Sequence, residues 1–128
     1  MKFSTKAEYG LKAMTNLAQS FPEQKNLKTI SQEEKISAKY LERLIGSLRK
    51  NNLVESSKGK SGGYVLSRDP GKIKVGEIIE VLEGPIAPMK CVRKFCSLEH
   101  QCASSKVWTR LAEQIKRTLD SINLSELI

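Results

Sequence analysis

The sequence predicts a mainly α fold with a small β-hairpin, and three observations carry that prediction. Apolar residues recur at helical spacing through most of the chain, a Gly-rich stretch separates two short strand-like runs, and the excess positive charge sits in the first half alone. At 128 residues the chain is long enough for one domain with a real core.

Ala7, Leu11, Met14, Leu17 and Ala18 share one face of a helix over residues 5–20, with Ser4 at its N-cap. FPEQKN breaks that pattern. Thr29 and Gln32 are spaced as a capping box, which predicts a short second helix over about residues 30–35. Ser37 caps a third helix that places Leu41, Leu44, Ile45 and Leu48 on one face and ends near Asn51 and Asn52. LVESSKGKSGGYVLSRD reads as strand, Gly-rich tip and strand. Val75, Ile78, Ile79 and Leu82 mark a fourth helix, and Pro85 and Pro88 hold the following stretch open as a loop. Val107, Leu111, Ile115 and Leu119 then repeat at i+4 along a long helix, about 104–121, with Trp108 beside them. Its stripe exceeds what one small domain needs, so the expected partner is the same helix of a second copy. Helix, helix, helix, hairpin is the order of a winged helix-turn-helix. The expected organisation is therefore a winged helix-turn-helix DNA-binding domain over 1–83, a cysteine-rich cluster-binding loop over 84–103, and a dimerisation helix with its tail over 104–128.

Fifteen of the 22 Lys and Arg, but only seven of the 14 Asp and Glu, lie in residues 1–74, so the whole net charge of +8 belongs to that half. A basic half joined to a neutral one implies that the first faces a polyanion. Several classes are disfavoured. The chain has no catalytic dyad, no Gly-rich nucleotide loop and one histidine for acid–base work, so an enzyme is not expected. No run is apolar enough to span a membrane, MKFSTKAEYGLKAM lacks the apolar region of a signal peptide, and a cytoplasmic location is expected. Three cysteines cannot all pair within one chain, which argues against a disulfide framework.

A recognition helix enters the major groove by its N-terminal end, where exposed side chains meet base edges. On the third helix those side chains are Lys39, Tyr40, Glu42 and Arg43. Arg43 can read guanine O6 and N7, Glu42 can accept from a cytosine amine, Lys39 can serve base or phosphate, and Tyr40 can donate to a phosphate. In the wing, Lys58 and Lys60 flank glycines that let the backbone lie close to a duplex, with Gly62 among the contacting positions.

KCVRKFCSLEHQC, Lys90 to Cys102, holds every cysteine and the single histidine of the chain. The spacing is C-x4-C-x5-C. Thiolates suit an iron–sulfur cluster, zinc or copper(I), and Lys90, Arg93 and Lys94 favour the thiolate form. Three thiolates leave one place of a four-ligand site open. His100 stands within the same loop.

ISAKYLERLIGSLRKNNLV, KGKSGGYVLSRD and IKVGEIIEVLEG together resemble the Rrf-two family of bacterial winged helix-turn-helix transcription regulators, over nearly the whole chain. The resemblance implies a homodimer through the C-terminal helix on a pseudo-palindromic operator of double-stranded DNA, with Lys39, Tyr40, Glu42, Arg43 and Lys58 at contacting positions. One cluster-binding member carries serine and glutamine where this chain has Lys39 and Arg43, which leaves the operator sequence open. In that branch three loop cysteines ligate an iron–sulfur cluster, and Cys91, Cys96 and Cys102 match them, with [2Fe–2S] favoured and [4Fe–4S] the other form. The histidine that some members place three residues past the third cysteine is replaced here by Ser105. Related regulators offer a carboxylate from the first helix of the other subunit, which implies Glu8 ahead of His100 as the fourth ligand. Another branch lacks the cysteines, so a cluster-free regulator responding to thiol redox or cysteine metabolism is the alternative.

Overall fold

The computed structural model describes residues 2–58, 62–89 and 103–128. Helix α1 (Thr5–Ser20) turns Ala7, Ala13, Met14, Leu17 and Ala18 inward. Ser4 stands at its N-cap, yet the hydroxyl makes no cap bond. Its backbone N–H is instead taken by the Glu83 carboxylate. Helix α2 (Leu27–Glu34) starts three residues earlier than its capping pattern predicts. The cap is Asn26, whose side chain accepts from the Thr29 N–H at 2.7 Å, so Thr29 lies inside the first turn. Helix α3 (Ala38–Lys50) begins at Ser37, which accepts from the Tyr40 N–H at 3.2 Å, and buries Leu41, Leu44, Ile45 and Leu48 as expected.

Strands β1 (Val54–Ser57) and β2 (Gly63–Leu66) pair antiparallel, with Val54 opposite Leu66 and Ser57 opposite Gly63. A 3-10 turn over Pro70–Lys72 leads to α4 (Val75–Glu83), which buries Val75, Ile78, Ile79 and Leu82. Helix α5 (Ser105–Asp120) and a 3-10 turn over Leu124–Leu127 complete the order. Among the described residues, no helix is long and apolar enough to cross a membrane.

One core gathers α1 to α4 and the hairpin around Met14, Leu17, Ile30, Leu41, Ile45 and Ile78. Each such side chain contributes about 1.5–3 kcal/mol when fully removed from water. Leu124 joins that core from the far end of the chain, held by its N–H to the Ile73 carbonyl at 2.8 Å. A smaller cluster of Ala7, Val75 and Ile79, with Ile86, Leu119 and Ile122 packed on it, seats the end of α5 beside α4. Among the described residues the outward stripe of α5 has no cover: Val107 is 57% exposed and Leu111 41%, and Ala112 alone on that helix is buried.

Candidate nucleic-acid interface

Three residues join α2 to α3. Lys35 takes the left-handed conformation (φ 56°), which makes the sharp corner, and Ile36 drops into the core at 6% exposure. Ser31 fixes the corner from α2, donating its hydroxyl to the Ile36 carbonyl at 2.6 Å and accepting the Ile36 N–H at its own carbonyl at 3.1 Å. With Ser37 capping the next turn, the N-terminal end of α3 projects from a rigid base.

The four-residue apolar rhythm of α3 turns its other side outward, and Lys39, Glu42 and Arg43 are all exposed there. Tyr40 is half-buried. Its hydroxyl lies 3.3 Å from the Thr5 hydroxyl, and its ring meets Tyr9 edge-on at 5.9 Å between centroids. Lys12 in turn sits 5.3 Å from the Tyr9 ring centre. Tyr40 therefore ties the reading end of α3 to the first turns of α1, a role its place in the sequence did not disclose. Sequence reasoning also passed over Lys6, Arg49 and Lys50, which line one cleft with Tyr40 and Arg43. For Lys50 the i, i+3, i+7, i+10 spacing of positions 40, 43, 47 and 50 was the available signal.

The wing is fastened to the helices through Lys25. Its N–H donates to the Tyr64 carbonyl at 2.9 Å, and the Tyr64 N–H returns to the Lys25 carbonyl at 2.7 Å. Gly63 permits this approach, since a Cβ there would lie 2.5 Å from the Lys25 carbonyl oxygen. The same Lys25 donates its ammonium to Asn16 Oδ1 at 2.7 Å and pairs with Glu33 at 2.5 Å. Asn16, only 3% exposed, donates to Glu34 at 2.7 Å and to Glu33 at 3.3 Å. The Lys25 and Asn16 hydrogen bonds hold the Glu33 carboxyl below its ordinary range. One lysine thus joins α1, α2 and β2. Lys58 is exposed at the end of β1 and Gly62 is exposed before β2, while Lys60 lies outside the described residues.

Cys91, Cys96, Cys102 and His100 also lie outside the described residues. Among the described residues, no group of three metal-ligating side chains occurs. Glu8 is on the first turn of α1 with its side chain 60% exposed, and its ion pair to Lys12 is long, at 3.7 Å. An exposed carboxylate this weakly held fits a donor recruited by a second subunit, and three thiolates plus one carboxylate make a four-ligand set acceptable to iron. Ile86, five residues before Cys91 in the sequence, packs on the cluster built around Ala7, next to Glu8.

A family model described as "Iron-dependent Transcriptional regulator", Rrf2, matches residues 3–128. The chain is 41% identical to the HTH-type transcriptional regulator CymR of Bacillus subtilis, over 99% of this chain and 89% of that protein. It is 38% identical to the HTH-type transcriptional regulator IscR of Xenorhabdus nematophila, over 100% of this chain and 79% of that one. Among solved structures, CymR, "the Global Cysteine Regulator of B. subtilis", superposes with a TM-score of 0.83 at 39% identity, over 99% of this chain and 95% of the other. IscR of T. potens gives 0.81 at 43% identity, over 99% and 85%.

Proposed function

The chain belongs to the Rrf2 family of transcriptional regulators, and on that footing we propose a homodimeric DNA-binding repressor whose operator affinity is set by an iron–sulfur cluster, [2Fe–2S] ahead of [4Fe–4S]. The observation that carries the reading is the cysteine distribution, the full complement of three within Cys91 to Cys102. Cys91, Cys96 and Cys102 of one subunit would hold the cluster with Glu8 of the partner subunit. When bound, the group supplies iron whose link to a carboxylate is more labile than its links to thiolates, and so is open to nitric oxide, oxidant or acid.

The chain's own residues do the rest. The uncovered stripe of Val107 and Leu111 on α5 supports pairing with a second copy. Lys39, Glu42 and Arg43 meet base edges, Lys58, Lys60 and Gly62 approach the backbone, and Tyr40 positions the helix while offering its hydroxyl. A displacement of the first turn of α1 passes through Thr5 and Tyr9 to Tyr40, and so to the reading end of α3. Two such helices must sit about one turn of DNA apart, about 34 Å, to engage together. Small changes between subunits thereby decide whether an operator fits.

Anaerobic purification with a visible spectrum and iron and sulfide counts tests the cluster. A coloured protein whose spectrum or lifetime changes on Glu8→Ala, and not on His100→Ala, is the expected result. A colourless chain that takes up no iron on reconstitution would sink it. DNA affinity must also fall steeply with salt if the basic half faces a duplex. The similarity to the cysteine regulator of B. subtilis supports a second reading, a cluster-free regulator responding to thiol redox or cysteine metabolism. An iron-free protein that still binds DNA, and loses affinity on thiol oxidation, selects that one.

A further inference from the structure

A cleft of about 920 Å³ runs beside α3, between it, the start of α1 and the end of α4. Four cations line it: Lys6 from α1, with Arg43, Arg49 and Lys50 from α3. No carboxylate lines it among the described residues. Its apolar surface comes from half-exposed Val81 and the ring of Tyr40, with Leu44 and Leu82, 4% and 8% exposed, behind them. Phosphate contact alone accounts for the cations but not for the apolar surface beside them. A pocket of this size, partly apolar and charged at a few points, has the form of a small-molecule site.

We propose that this cleft binds an amphipathic organic anion, an aliphatic or aromatic body bearing a carboxylate or sulfonate. The body lies on Val81 and the Tyr40 ring, and the acid group meets the guanidinium and ammonium groups at the rim. Binding as such is independent of the function proposed above. Its consequence rests on that reading: an anion in the cleft engages Arg43, a base-reading residue, so ligand and DNA compete for one side chain.

Gly46 gives a clean test. It lines the cleft, and a Cβ at this position would meet nothing within 4 Å. Gly46→Leu therefore adds its Cβ without a clash and puts a bulky side chain on the cleft wall, while replacing a poor helix former with a good one. The full-length chain is titrated with 1-anilinonaphthalene-8-sulfonate, and the bound probe is displaced with 1-naphthoate or with inorganic phosphate at matched ionic strength. Expected are displacement by naphthoate but not by phosphate, and probe affinity lower by about tenfold or more in Gly46→Leu, with a melting temperature no lower than that of the parent. Equal displacement by phosphate would show a generic cationic surface and overturn the proposal. So would unchanged probe affinity in Gly46→Leu, which would place the probe elsewhere, for instance on the exposed stripe of α5. A second titration follows a duplex selected by the protein from a random pool. Naphthoate should weaken duplex binding in the parent and much less in Gly46→Leu. Duplex binding indifferent to bound naphthoate removes the competition. A chain that binds the probe but no duplex removes the function proposed above and leaves the cleft's ligand standing.

Discussion

In the first half of the chain Met14, Leu17, Ile30, Leu41 and Ile45 are at most 1% exposed, whereas on α5 Val107 and Leu111 keep 57% and 41% of their surface in solvent. The two regions have similar helical patterns and opposite outcomes. Helices α1 to α3 close on one another and on the wing, so their outward faces are left for charge. Helix α5 is anchored at one end through Leu119, and along its length by Ala112 and the Lys116 ion pair to Glu80. Among the described residues nothing covers Val107 and Leu111. Under the proposed function, reading and association are thus allotted to separate surfaces, joined through α4 and the first turn of α1.

Truncation in the closed core should give the largest effect. Ile45→Ala removes a side chain that is 1% exposed, at the centre of α3's inward face. It should cost about 2–5 kcal/mol in urea unfolding. Leu111→Ala on α5 should cost much less in a chain diluted below its association range. Equal costs at the two positions would erase the contrast between them.

Charge placed on the open face should act in the other direction. Val107→Glu combined with Leu111→Glu leaves the closed core untouched and should shift the protein to monomer in sedimentation. Affinity for a two-half-site duplex should then fall by about a hundredfold or more, since the second α3 is no longer tethered. Unchanged sedimentation would move the association surface away from α5. A smaller effect is expected at the N-terminal end of α3. Ser37→Ala removes the acceptor of the Tyr40 N–H, held at 3.2 Å, and should cost about 1 kcal/mol. DNA affinity should weaken with it, because the same turn carries Lys39 and Arg43.

What could be read from residues alone was local and periodic. The inward faces of α3 and α4, the cap at Ser37 and the hairpin each depend on neighbours within a few positions. Contacts between distant residues were not legible. Asn26 caps α2 within a stretch whose proline and polar residues read as a break. Lys25 reaches Tyr64 across almost forty positions, and Leu124 returns to Ile73 after two helices. Likewise Tyr40 reads as a surface phosphate donor until Thr5 and Tyr9 are placed beside it. The acidic candidate Glu8 follows the same rule: its exposure is visible in one chain, whereas its partner requires two.

The two regions should also separate by pH. Hydrogen bonds from Lys25 and then Asn16 hold the Glu33 carboxyl below its ordinary value, against a small opposing effect of burial. A carboxyl depressed in the folded state stabilises above its unfolded pKa, and that contribution is lost as pH falls through the folded value. Lys116 is the mirror case on α5, raised by Glu80 and then Asp120. Its contribution is complete below the unfolded lysine pKa and is lost as pH rises through the folded one. Both side chains are half-exposed, so the effects are small and are best read locally, not from a global melt. A global acid melt does not isolate the first half. The Tyr64 amide does, because its bond to the Lys25 carbonyl depends on where Lys25 is held. The protection of the Tyr64 amide, its exchange rate taken relative to the intrinsic rate at the same pH, should fall as the pH drops below the ordinary carboxylate range, and Glu33→Gln should flatten that fall. If protection at Tyr64 keeps the same acid profile in Glu33→Gln, Lys25 is held by Asn16 alone and the carboxylate takes no part in seating the wing.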